Sequence, residues 1–107
     1  MIQKVFWKNI WGLPVYIVNE ETVEDVENTF IGGGHHYVKY QDGSREVDYG
    51  DFIPEPEIWV NKPDFALFIH EWIERALMKH FKMGYDEAHF IAGRIEAAWR
   101  EKYQANS

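Results

Sequence analysis

A chain of 107 residues, 46% hydrophobic and 17% aromatic, is one domain with enough apolar mass for a core, which excludes long disorder. A formal net charge of -7 argues against nucleic acid or an anionic membrane as a partner. With no cysteine there is no disulfide framework and no thiolate site, so any metal must rest on His, Asp and Glu.

The N-terminal stretch MIQKVFWKNIWGLPVYIV is interrupted by Lys4, Lys8, Gly12 and Pro14 and lacks a small-residue cleavage pattern. It reads as strands and not as a signal peptide. No apolar run approaches the length of a membrane span, so a soluble, cytoplasmic protein is expected. Gln3 to Trp7 and Val15 to Val18 are β-branched and aromatic, with a turn expected around Gly12-Leu13-Pro14. Asn19 to Asn28 spaces Val23, Val26 and Phe30 by three and four, and Thr22 with Asp25 resembles a capping box, so a short helix or turn is expected there. Its acidic run, Glu20, Glu21, Glu24, Asp25 and Glu27, reads as a solvated face, with docking of a basic partner as the alternative.

In FIGGGHH, Phe30 to His36, three successive glycines signal backbone that needs unusual dihedrals or a close approach. Tyr37 to Tyr40 and Arg45 to Tyr49 flank Gln41-Asp42-Gly43-Ser44, a hairpin signal. Pro54 and Pro56 bracket an extended connection, and Glu57 to Asn61 (EIWVN) reads as a further strand. The period then becomes helical, through Phe65, Phe68, Ile69, Trp72, Ile73, Ala76 and Leu77. Pro63 and Asp64 suit the first turn and Gly84 the position past the end. A second helix is expected from about Tyr85 to about Tyr103. Strands over 1–62 followed by a helical hairpin over 63–104 make a single α+β domain.

The first helix reads H-E-W-I-E. His70 and Glu74 are four apart, the spacing by which a helix offers two ligands to one metal. Glu71 follows His70, where a glutamate reaches metal-bound water without ligating and serves as general base. A third ligand has to come from the second helix. Counting from Gly84, His70 is level with Ala98 and Glu74 with Arg94, and Glu96 falls between these two. His89 is level with Lys79, about 7–8 Å nearer the turn than Glu74 at ~1.5 Å per residue, and joins only if the helices cross steeply. Ala92 and Gly93 are small enough to allow that crossing, so His89 and Glu96 both stand as third-ligand candidates. Two imidazoles would favour Zn, while one His with two carboxylates suits Mn or Fe nearly as well, so the expected cofactor is a divalent metal, Zn first, with Mn or Fe as alternatives.

Each of these residues also has a plain structural use. His70 and Glu74 can pair along the helix, Glu74 can meet Arg75, Arg94 or Arg100, and His89 can be a core histidine. His80 belongs to a different face and suits the helix C-terminal dipole. His35 or His36 could swing toward the helices, although loop histidines are usually solvated. Trp59, Trp72 and Trp99 suit the core better than a substrate platform.

Taken together, F-x-x-G-G-H (Phe30, Gly33, Gly34, His35), F-I-P-x-x-E-I-W-V (Phe52 to Val60), H-E-x-x-E-R-x-L-M (His70 to Met78) and Y-x-x-A-H-x-x-A-x-x-x-E (Tyr85, Ala88, His89, Ala92, Glu96) resemble a family of small phage and bacterial proteins. The order of a small sheet, an active-site helix and a second helix also resembles a minimal zincin, with Glu74 where a zincin carries its second histidine. That resemblance implies a metallopeptidase-like hydrolase with a peptide or protein substrate. It also implies a gluzincin-type ligand at Glu96 and an edge strand at EIWVN that pairs with substrate. The competing expectation is a non-catalytic module in which the same His and Glu side chains form a buried network.

Overall fold

The computed structural model describes residues 4–18 and 33–103. The helix or turn expected over Asn19–Asn28, the acidic run and the head of the glycine stretch lie outside the described residues. The architecture is α+β, strands first and two helices after.

The first hairpin joins β1 (Lys4–Ile10) to β2 (Leu13–Val18). β1 extends beyond the expected Trp7, and the turn is Trp11-Gly12, not Gly12-Leu13-Pro14. Both turn residues have positive φ, 51° and 84°, as a two-residue type I′ connection requires. Pro14 lies inside β2, opposite Asn9. Further along come β3 (Gly33–His35) and a second hairpin of β4 (Lys39–Asp42) and β5 (Arg45–Asp48). The second turn is Gly43-Ser44, with Gly43 at φ 64°.

The larger sheet has the order β1-β2-β6-β3, where β6 (Ile58–Val60) runs parallel to β2 and antiparallel to β3. This corrects the expectation that EIWVN is an edge: β6 is paired on both sides. Its three residues are all buried. Ile58 and Val60 pack with Phe68 and Ile69, while Trp59 packs with Val18, Val38, Val47 and Ile53 on the opposite face. An unbroken apolar run is how a strand covered on both faces reads.

α1 (Phe65–Phe81) starts at Asp64, whose side chain accepts from the Ala66 N–H. It ends at Lys82, in the left-handed region at φ 56°, and not at a glycine. Gly84 instead begins α2 (Tyr85–Tyr103), its carbonyl accepting from the Ala88 N–H. Burial of side chains such as Phe68 and Ile69 stabilises by roughly 1.5–3 kcal/mol each and presses one stripe of α1 onto the sheet. In α2 only Ala88 and Ala92 are buried, so small residues set the close approach of the helices. Gly93 is not part of that approach, since a Cβ there would meet nothing within 4 Å. Among the described residues no helix is long and apolar enough to cross a membrane.

Candidate metal centre

Packing α1 against β3 and α2 brings three histidines to one carboxylate. The Oε2 atom of Glu74 lies 3.1 Å from His70 Nε2 and 2.8 Å from His89 Nδ1, and those two nitrogens are 3.2 Å apart. The other oxygen, Oε1, is 2.9 Å from His35 Nε2. His70, Glu74 and His89 form a group able to hold a metal ion. His89 therefore reaches Glu74 across the helix pair, although level counting places it nearer the turn.

Glu96 reaches the same cluster by another route. Its Oε1 stands 2.9 Å from His70 Nδ1, an ion-pair distance outside hydrogen-bond geometry, on the opposite side of the ring from Glu74. Its Oε2 is held by Arg100 at 2.8 Å, and Arg100 also reaches Asp64 at the start of α1. A carboxylate on the far nitrogen orients a ligating imidazole and raises its basicity. Among the arginines raised as partners for Glu74, Arg75 is bound to Glu55 and Arg100 to Glu96.

His35 is the site residue that the sequence reading left unassigned. It is fully buried, and its Nδ1 accepts from the Tyr37 N–H at 3.1 Å. A neutral ring that accepts at Nδ1 carries its proton on Nε2, so His35 donates to Glu74 Oε1. Burial lowers the His35 pKa against the pull of Glu74, which keeps the ring neutral. His35, Glu71 and Glu74 also come close enough to hold an ion. A metal on His35 Nε2 would move the proton to Nδ1, facing the Tyr37 N–H. The hydrogen bonds thus make His35 a clamp on the carboxylate and not a ligand. The signal was present in the sequence: alternation along a strand puts Gly33 and His35 on one face. His36 is turned away and donates from Nδ1 to the Ile53 carbonyl at 2.9 Å.

Gly33 and Gly34 explain the glycine stretch by close approach; neither has positive φ. A Cβ on Gly33 would lie 2.9 Å from Glu71 Oε2, and one on Gly34 would lie 2.8 Å from the Tyr49 ring. Glu71 is buried against β3, with Oε2 3.9 Å from His70 Nε2.

The carboxyls separate in their acidity. Burial, reinforced by the charges of Glu74 and Glu96, pushes the Glu71 carboxyl well above its usual range. Burial would raise Glu74 too, but hydrogen bonds from His35 and His70, with further help from His89, bring it down to about 2. Burial would lower the His70 pKa, yet Glu74 and Glu96 together raise it. Two groups held at opposite protonation in one cleft are the pattern of a functional site.

The cluster lines a cavity of about 440 Å³, walled on its other sides by Val38, Tyr40, Tyr49, Leu67 and Tyr85. Tyr85 lies between the rings of Tyr40 and His89, at 5.1 and 5.2 Å, and so braces the half-exposed His89. Trp59 is core, Trp72 and Trp99 pack against the helix-side core, and none of the three lines the cavity. His80 is exposed in the last turn of α1, as expected. Compared with known proteins, the chain matches no family model, no curated protein and no solved structure, so the comparisons place it in no family.

Proposed function

We propose that the protein is a metal-dependent hydrolase, built on a divalent cation held by His70, Glu74 and His89, with Glu71 as general base. One observation carries this reading: two imidazole nitrogens and a carboxylate oxygen converge within 3.2 Å of one another in the wall of a cavity. Without a cation, His70 stands between two carboxylates, with Glu74 Oε2 3.1 Å from Nε2 and Glu96 Oε1 2.9 Å from Nδ1, so a neutral ring sets a lone pair against one of them. A cation removes that conflict and leaves the His70 Nδ1 proton facing Glu96. Glu71 lies beside the ligand set, and a bound cation would offset the burial and carboxylate charges that raise its pKa, leaving it charged and placed to take a proton from water and pass it to a leaving group.

The proposal keeps the His-Glu helix and the base of the zincin-like expectation but makes His89 the third ligand. Glu96 becomes the group that orients His70. A peptide substrate would have to enter the cavity without pairing with β6.

The test is elemental analysis by mass spectrometry on protein purified without a metal-affinity tag. Near-stoichiometric divalent metal is expected, lost in His70→Ala and kept in Glu71→Gln, while Glu71→Gln abolishes hydrolysis of amide and ester substrates. Absence of metal, even after incubation with added ions, would sink the proposal and leave a buried polar network.

A further inference from the structure

We infer that Arg100 is a positioning residue of the metal centre: acting through Glu96, it fixes the carboxylate oxygen that faces His70 Nδ1 and so sets how tightly the centre holds its cation. This rests on the metal centre proposed above and adds a residue outside the cavity lining, which includes Glu96 but not Arg100.

The requirement starts at His70. An imidazole that gives one nitrogen to a cation presents an N–H at the other, and that N–H needs an acceptor. In His70 the far nitrogen is Nδ1. It is buried and makes no hydrogen bond of good geometry, while Glu96 Oε1 stands beside it at 2.9 Å. A small turn of the Glu96 carboxylate would complete the bond. A large one would leave a buried donor without a partner.

Glu96 has no means of holding that position by itself. A glutamate has several rotatable bonds, and left free it can turn either oxygen to His70 or to solvent. Arg100, one helical turn further on, removes that freedom. Its Nε lies 2.9 Å and its Nη2 2.8 Å from the same oxygen, Oε2. With both spent on Oε2, Oε1 is the oxygen that faces His70.

The guanidinium is itself anchored across the helix pair. Its Nη1 donates to Asp64 Oδ2 at 3.0 Å, and the other Asp64 oxygen accepts from the Ala66 N–H at 2.9 Å. An ion pair one turn apart on an exposed helix face is worth little, because both side chains wander. Here all three guanidinium nitrogens meet carboxylates on two different elements, which fixes the planar fork. The start of α1 thereby braces the acceptor of a ligand carried on the same helix.

A plain tie between helix ends would stabilise the fold and leave the affinity of the folded protein for metal unchanged. A double-mutant cycle separates that role from positioning. Zn(II) is the probe, and its Kd is measured by competition with a chromophoric chelator. The proteins are wild type, Arg100→Gln, Glu96→Ala and the double variant, each confirmed as folded by urea unfolding of the metal-free form. Arg100→Gln and Glu96→Ala are each expected to bind Zn(II) about 10–100-fold more weakly than wild type. The double variant should bind no more weakly than Glu96→Ala. Arg100→Lys, which keeps a cation for Glu96 without the fork that also reaches Asp64, should fall between wild type and Arg100→Gln. It carries the same cycle if Arg100→Gln does not fold. Wild-type affinity in the Arg100 variants, or a further loss when Arg100 is removed from Glu96→Ala, would overturn this inference and leave the metal centre standing. Failure of wild type to bind Zn(II) would remove the metal centre and this inference with it.

Discussion

α1 carries two clusters of charged side chains, built on opposite plans. At Glu55, one carboxylate oxygen receives Arg75 at 2.6 Å, Lys79 at 2.7 Å and the Tyr37 hydroxyl at 3.0 Å. Two of those donors are permanent cations, so the cluster is neutralised with charge to spare. Around His70 the balance is reversed. Glu71, Glu74 and Glu96 gather with histidines, which are cations only when protonated, and Arg100 reaches Glu96 alone of the three. The first cluster is complete as it stands. The second depends on protonation for its charge balance in a buried setting, where unpaired charge is expensive, and a divalent cation would supply a charge that does not titrate.

Substitutions at Glu74 should separate the clusters most sharply. Glu74→Ala strips the acceptor from the buried His35 Nε2–H and the counter-charge from His70. A loss of about 3 kcal/mol is expected, as for breaking a buried pair. Glu74→Gln keeps a carbonyl for His35 and should cost only about 1 kcal/mol, yet it should lose metal as fully as the alanine variant. Urea unfolding and metal content measured on both variants check this. If Glu74→Gln retains metal, Glu74 is not a ligand; if Glu74→Ala is as stable as wild type, the two clusters do not differ in kind.

A smaller effect is expected at Gly33. A methyl group there meets Glu71 Oε2 at 2.9 Å and Cγ at 3.0 Å. Glu71 must move, at a cost of about 1–3 kcal/mol for overpacking. Gly33→Ala should therefore keep its metal and lose hydrolysis, separating the base from the ligands. Loss of metal in this variant would mean that Glu71 and His70 move as one unit.

The parts of the fold carried by local rules were legible in the sequence. Period and capping placed α1 and α2 closely, because Asp64 and the Phe65/Phe68/Ile69 stripe are signals read over a few residues. Signals that depend on a distant partner failed. Gly84 looks like a helix stop, but Lys82 takes the left-handed position and Gly84 opens the next helix. EIWVN was read as an edge, although its unbroken apolar run is what double burial produces. His70, Glu71 and Glu74 were visible as a motif, and His89 and Glu96 as candidates. The choice between those two depended on how the helices pack, which no local pattern encodes. Strand alternation puts His35 on one face with Gly33, but its partner Glu74 appears only when β3 docks beside β6 and faces α1.

The Glu55 cluster gives the smallest expected effect, and its value lies in that smallness. The Glu55 side chain is 41% exposed, so its ion pairs are screened and Glu55→Gln should cost no more than about 1 kcal/mol. Arg75 still has the Glu55 main-chain carbonyl at 3.1 Å. The Lys79 hydrogen bond acts against the upward push of burial and, with Tyr37 and Arg75, holds the Glu55 carboxyl below its ordinary value of 4.5. A carboxyl more acidic in the folded chain than in the unfolded one stabilises the fold fully above the unfolded value. That contribution disappears as pH falls through the lowered folded value. Glu55→Gln should therefore be slightly less stable than wild type at neutral pH and converge on it below pH 4.5, with the metal content of wild type at neutral pH. Chemical unfolding followed across the acid range measures the convergence. A metal loss in Glu55→Gln would join the two clusters into one network and undo the distinction between a closed ion pair and an open ligand set.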